Sequence, residues 1–225
     1  MAEFVHLHNH SDYSLLDGAC SVASMVGKAK SLGMPGLALT DHGNMYGAVR
    51  FYDTCREQGI NPIVGSEFYV AGGSRREKTG TEGGNKYYHL ILLAENETGY
   101  RNLCKLSAAS FIEGYYYKPR IDDELLAANK EGLICSSACI AGEIPSLILS
   151  GKMEAAERKA AFYAELFGKD HYYLELQDHG IPEQKLANRG VVAIARKLGL
   201  PLIATNDMHY LNKDDAEAHD VLLCI

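Results

Sequence analysis

Gly36-Leu37-Ala38-Leu39-Thr40-Asp41-His42-Gly43 reads as a buried strand that ends in chemistry. Its first half is a continuous apolar run, as expected of a strand covered on both faces. An acid and an imidazole stand where the strand gives way to a loop. Upstream, Ser21 can cap a helix over 22–32 that Gly33 closes; downstream, a helix over 45–58 is closed by Gly59. The same alternation recurs along the chain. Strands are expected at 4–8, 36–40, 62–66, 88–94, 133–136, 172–176 and 202–205. Helices are expected at 22–32, 45–58, 98–111, 122–128, 153–167 and 182–198, the last with Pro182 in its first turn and Gly199 after it. Repeated strand–helix units imply an α/β fold with a parallel sheet, open or closed, and seven such units can close into a barrel.

Two stretches break the pattern. Residues 71–86 are rich in glycine and charge and are expected to form a mobile loop. Residues 113–120, Glu-Gly-Tyr-Tyr-Tyr-Lys-Pro-Arg, are aromatic and basic and interrupt two helices. The chain stops inside an apolar helical pattern at Val221-Leu222-Leu223-Cys224-Ile225, so a fragment of something longer is expected.

The 225 residues suit one sizeable domain. No apolar run approaches the roughly 20 residues of a membrane span. The start, Met1-Ala2-Glu3-Phe4-Val5-His6, lacks the basic and apolar regions of a signal peptide, so a cytoplasmic location is expected. The six cysteines form no CxxC pair and read as free thiols. A net charge of −7 argues against nucleic-acid binding by bulk electrostatics. If the substrate is a phosphate ester, bound metal ions must supply the positive charge.

The residues at the strand ends could hold such ions. In His6-Leu7-His8-Asn9-His10, residues two apart on a strand share a face, so His8 and His10 can converge on one cation. Imidazole and carboxylate suit borderline divalent metals. Asp17 follows at a turn, His42 after the second strand, and Glu67 after Val64-Gly65-Ser66. Asp207 and His209 repeat the two-residue spacing after the last strand. Together these seven fall at the carboxyl ends of different strands, where α/β barrels build their sites. His89 is harder to place, because it opens its strand. Cys139 could be a thiolate ligand or a small buried apolar residue. Lys118 and Arg120 could touch DNA phosphates or be solvated surface charge. No GxSxG, P-loop or GxGxxG motif occurs, which disfavours serine-nucleophile and Walker-type chemistry.

Phe4-Val5-His6-Leu7-His8-Asn9-His10-Ser11-Asp12-Tyr13-Ser14-Leu15-Leu16-Asp17-Gly18 resembles the first motif of the polymerase-and-histidinol-phosphatase (PHP) domains of bacterial DNA polymerase III alpha subunits. Thr40-Asp41-His42-Gly43-Asn44-Met45, Pro62-Ile63-Val64-Gly65-Ser66-Glu67 and His89-Leu90-Ile91-Leu92-Leu93-Ala94 resemble its next regions. Tyr116-Tyr117-Lys118-Pro119-Arg120, Leu174-Glu175-Leu176-Gln177-Asp178-His179-Gly180 and Thr205-Asn206-Asp207-Met208-His209-Tyr210 are similar to segments of the polymerase branch. The resemblance covers the whole chain. It implies a distorted (β/α)7 barrel and up to three divalent cations (zinc, manganese or iron). The implied ligands are His8, His10, Asp17, His42, Glu67, His89, Cys139, Asp207 and His209, with Asp17, His42 and Asp207 carrying catalysis. It further implies 3′–5′ exonuclease proofreading on a DNA primer end, with the remaining polymerase domains, a separate proofreading subunit and other replisome proteins as partners. A purely structural docking domain and a stand-alone phosphatase acting on a small monoester are the competing expectations.

Overall fold

The computed structural model describes residues 4–78 and 87–225. Residues 79–86 of the expected mobile loop lie outside the described residues. The chain runs α1 (Val22–Ser31), β1 (Gly36–Leu39), α2 (Ala48–Gln58), β2 (Asn61–Val70), β3 (Tyr88–Ala94), α3 (Glu97–Ile112), β4 (Arg120–Ile121), α4 (Asp123–Ala128) and β5 (Leu133–Ser136). It continues through α5 (Glu143–Leu149), α6 (Met153–Phe167), β6 (Tyr172–Leu176), α7 (Pro182–Leu198), β7 (Leu202–Ala204) and α8 (Ala216–Leu222). The helix starts follow the capping chemistry: Ser21, Asn96 and Asp122 accept from the backbone amides of Ser24, Gly99 and Leu125.

The strands lie in the order β1-β2-β3-β5-β6-β7, with β4 beside the end of β2. The sheet curls, and the N-terminal segment joins its two ends. Ala38 N–H donates to the His6 carbonyl (2.9 Å) and Thr40 N–H to that of Asn9 (3.0 Å). On the other side His10 N–H donates to the Met208 carbonyl (2.8 Å). The result is a distorted α/β barrel. Segment 4–8 is not the regular strand expected: it makes only isolated bridges, His6 with Leu37, and Asn9 with Met208 follows it. The Asn9 amide donates to the carbonyls of His6 and Ala38 (3.0 Å each), so a side chain does part of the work of a ladder.

The sheet is also not wholly parallel. β3 runs antiparallel to both β2 and β5. Among the described residues no helix lies between β2 and β3, and the chain returns beside β2 as an antiparallel neighbour. Gly65 permits the close pairing where β2 passes from β1 to β3: a Cβ there would lie 2.5 Å from the Leu92 carbonyl oxygen. α5 is not among the expected helices and packs against α6 and α7. It is too short to form on its own propensity and depends on that packing; Pro145 sits in its first turn, where proline is tolerated.

Three apolar clusters organise the core. The largest packs the outer face of β2, β3, β5 and β6 against α3 to α7, with Phe68, Leu92, Leu103, Tyr163 and Tyr172 buried. α1 and α2 close over β1 through Met25, Val26, Phe51 and Cys55. Ala38, Ile91, Leu93 and Ala138 fill the barrel interior. Polar side chains gather at the other end of that interior.

Candidate metal centre

The expected ligands reach the cluster from several parts of the chain. His8 and His10 come from the closing segment, and Asp17 from the turn after it. His42 follows β1, and Glu67 lies within β2, where an isolated bridge pairs it with His42. Cys139 follows β5, and Asp207 and His209 follow β7. The reversal of β3 explains His89. The start of an antiparallel strand lies beside the carboxyl ends of its parallel neighbours, and His89 pairs with Tyr69 at the end of β2. The barrel rule that made this residue hard to place fails because one strand is inverted.

Glu67 is the hub. Its Oε1 lies 3.4 Å from His8 Nε2 and 2.9 Å from His89 Nδ1. Its Oε2 lies 3.7 Å from His10 Nε2 and 2.5 Å from His42 Nδ1. Asp207 Oδ1 stands 3.2 Å from both His8 Nε2 and His10 Nε2. Asp17 Oδ2 meets His42 Nε2 at 2.9 Å and His209 Nε2 at 3.6 Å. Cys139 Sγ lies 3.7 Å from His89 Nδ1. The structure therefore brings all nine side chains together. Among the described residues they include three overlapping triads, His8/His10/Asp207, His10/His42/His209 and His42/Glu67/His89, each with donor atoms within 4.8 Å of one another.

Five of these atoms are buried without a hydrogen-bond partner: His8 Nε2, His10 Nε2, His42 Nδ1, Glu67 Oε2 and Asp207 Oδ1. They approach one another closely, but not with hydrogen-bond geometry. A buried polar atom left unsatisfied costs about 1–3 kcal/mol, so five in one place need a common partner. Nitrogen and oxygen donors converging on a buried space fit a divalent cation.

The electrostatics agree. Burial opposes ionisation of Glu67, yet His89 and His42 beside it hold its carboxyl well below the usual range. Burial likewise works against the Asp207 carboxylate, but His8 and His10 keep it ionised. His10, stacked between His42 (4.0 Å) and His209 (4.2 Å), is pushed down to about 3 by burial and then by the neighbouring His42 charge. It is a neutral imidazole, the form that ligates metal. Burial would also lower His42, but Glu67 and Asp17 raise it to about 9. Burial and Glu67 raise the Cys139 thiol, so only a cation could displace its proton.

A second layer fixes the ring orientations. His8 Nδ1 meets Glu175 Oε1 at 2.7 Å, and Glu175 also accepts from Thr205 Oγ1, Gln177 Nε2 (2.9 Å) and Ser136 Oγ (2.5 Å). His10 Nδ1 meets Ser14 Oγ at 3.0 Å, and Ser14 donates to Asp41 Oδ1 at 3.0 Å. No sequence motif singles out Glu175, Ser14 or Asp41; the one signal for Glu175 is a carboxylate inside the apolar strand Tyr172–Leu176. Outer partners of this kind typically change metal affinity 10–100-fold. Glu175→Gln is therefore expected to weaken cation binding by roughly 10–100-fold with the barrel intact. Competition with a chelator checks this; equal affinity would leave Glu175 with no orienting role.

Backbone strain gathers here too. Among the described residues four non-glycine positions have positive φ: Leu16 beside Asp17, Ala138 beside Cys139, Asp207 itself, and Tyr117. Such conformations persist where the surroundings enforce them, often at functional sites. Gly18, next to Asp17, has no room for a side chain, since a Cβ would lie 1.9 Å from the Ser11 carbonyl oxygen.

The cluster opens into a cavity of 430 Å³ lined by Asp17, His42, Tyr69 and Lys118. Lys118 is exposed at its mouth. Arg120 is different, and neither sequence expectation for it holds. It is 4% exposed and donates to the carbonyls of Gly114 (3.0 Å), Arg75 (2.9 Å) and Glu77 (2.8 Å). It ties the 71–78 excursion to the 113–120 segment.

Residues 6–179 match the PHP domain family. The chain belongs to the PHP family. This PHP domain is 55% identical over 222 residues to DNA polymerase III subunit alpha of Treponema pallidum, covering 99% of this chain and 19% of that protein. It is 50% identical over 224 residues to the Borreliella burgdorferi subunit, covering 100% of this chain and 19% of that one. It thus spans about a fifth of the length of these relatives. Among solved structures, a Bifidobacterium adolescentis protein assigned to the metal-dependent phosphoesterases superposes with a TM-score of 0.57 at 15% identity, covering 99% of this chain and 97% of that one. An amidohydrolase from Chromobacterium violaceum superposes with a TM-score of 0.58 at 13% identity, over 97% and 96% of the two chains. At such identities these two show the fold alone. Among the described residues no helix is long and apolar enough to cross a membrane.

Proposed function

We propose that this PHP domain is a metal-dependent phosphoesterase that removes nucleotides from the 3′ end of DNA. It acts as the N-terminal domain of a longer cytoplasmic replicative polymerase subunit. The observation that carries the reading is the set of five buried, unpartnered donor atoms shared by His8, His10, His42, Glu67 and Asp207. The relatives' function supplies the substrate class, and the three overlapping triads support a multinuclear site for zinc, manganese or iron.

Divalent cations bound there would neutralise charge on phosphate oxygens and acidify a water for attack on phosphorus. His8, His10, Glu67 and Asp207 would hold the buried end of the cluster. Asp17, His42 and His209 would hold the end nearer solvent, with His89 and Cys139 on the flank. Glu175 and Ser14 orient the first two imidazoles. Asp17 is kept ionised by His209 and His42 against the opposing effect of burial, so it is a ligand or proton acceptor and not an acid. Lys118, on the cavity wall, offers an ammonium to a substrate phosphate.

Metal analysis paired with a cleavage assay on a primer carrying a 3′ mismatch tests the reading. Bound cation with chelator-sensitive removal of the mismatched nucleotide is the expected result. Bound cation without cleavage would make this a docking domain that stabilises the polymerase and receives a separate proofreading subunit. Turnover of a small monoester alone would make it a phosphatase.

A further inference from the structure

Part of the wall of the cavity is aromatic and open to solvent. Tyr46, Phe111 and Tyr115 line it together with Asp17, His42 and Lys118. They come from three places in the chain: the loop before α2, the last turn of α3 and the 113–120 segment. Tyr46 is 59% exposed, Tyr115 52% and Phe111 37%. Their rings follow one another across the wall. Tyr46 and Phe111 have centroids 6.3 Å apart at 34°, and Phe111 and Tyr115 lie 6.4 Å apart at 22°. Three exposed rings in succession beside a polar cluster, the first pair tilted and the second stacked, have no partner in the core: none of them belongs to its apolar clusters.

We infer that Tyr46, Phe111 and Tyr115 form a stacking platform for the unpaired bases at the 3′ end of a single strand. This rests on the proposed phosphoesterase reading and names how its substrate is held. Every nucleobase has a π-face, so rings of this kind bind single strands with little sequence preference. Bases in a duplex are stacked on their own neighbours and cannot use the platform. The wall therefore selects frayed or mismatched ends over paired ones. The charge of the chain points the same way. The chain carries a net charge of −7, and among the described residues Lys118 is the only lysine or arginine lining this cavity. Beyond the contact of bound cations and Lys118 with the terminal phosphate, base faces must then supply most of the affinity of the strand, and that part of the binding should depend only weakly on salt.

The test is equilibrium binding of a 5′-fluorescein hexathymidylate, its 3′ linkages phosphorothioate to resist cleavage. It is compared with the same oligomer made abasic at its last two 3′ positions. The chain with wild-type sequence is expected to bind the intact oligomer roughly 10–100-fold more tightly than the abasic one. The Phe111→Ala/Tyr115→Ala variant is expected to bind both alike, at the weaker level. Unchanged metal content and circular dichroism would show that the variant keeps its barrel, and single Phe111→Leu and Tyr115→Leu variants serve if the double variant does not fold. Equal binding of the two oligomers by the wild-type sequence overturns the platform. Base-dependent binding without any mismatch removal leaves the platform standing and sinks the exonuclease reading; removal without base dependence does the reverse.

Discussion

Asp207→Asn is expected to empty the cluster of cation and to cut phosphoesterase activity by more than the roughly 10–100-fold typical of an outer-layer residue. Asp207 Oδ1 is one of the buried orphaned atoms and stands 3.2 Å from two imidazole nitrogens. The substitution keeps size but removes the charge that attracts the cation, and it can turn an amide N–H toward the space where an acceptor is needed. It is also a clean change for the backbone. Asp207 has φ 48°, and asparagine tolerates the left-handed region as readily as aspartate. The variant should therefore keep a single cooperative melting transition while its zinc or manganese content, read by elemental analysis, collapses. Full cation content in this variant would remove Asp207 from the site.

Glu67→Gln is expected to change how the metal-free protein responds to pH. His42 is raised to about 9 in the folded state against an ordinary value of 6.5, by Glu67 first and then Asp17, in spite of burial. A raised histidine favours folding most when protonated in both states. Its contribution is present in full below about 6.5 and is lost as pH rises through about 9. A shift of that size corresponds to stability on the order of 3 kcal/mol. Urea melts of the chelated protein should show the native sequence losing stability between pH 6.5 and 9, relative to a flatter Gln variant. Cation affinity should move oppositely, rising over the same interval, because His42 must shed its proton to ligate. Parallel profiles for the two proteins would mean that Glu67 does not control His42.

Much of this site was legible in the chain because chemistry follows pattern. His8, His10, His42, Glu67, Asp207 and His209 stand where apolar runs give out, and a parallel barrel gathers such positions at one end. His89 was not legible. Its position depends on the direction of β3, and strand direction is set by what connects two strands in space. Cys139 could not be separated from a buried apolar residue until its neighbours were known. Glu175 looked like any acid on a half-buried strand; only the fold places it behind His8. Arg120 misled for the same reason. Guanidinium in a basic loop reads as surface charge, but three backbone carbonyls, two of them from the distant 71–78 stretch, converge on it.

By itself the sequence determined most of the order of strands and helices, though not β4, α5 or the irregular first segment, and it determined the chemical class of the site. These depend on periodicity, caps and residue type, which act over a few neighbouring residues. The tertiary structure decided the inversion of β3, the closure of the barrel through Asn9, the outer layer around His8 and His10, and the aromatic wall beside the cavity. Each of these brings together groups far apart in the chain, and their meeting is fixed by packing and by the need to pair buried polar atoms.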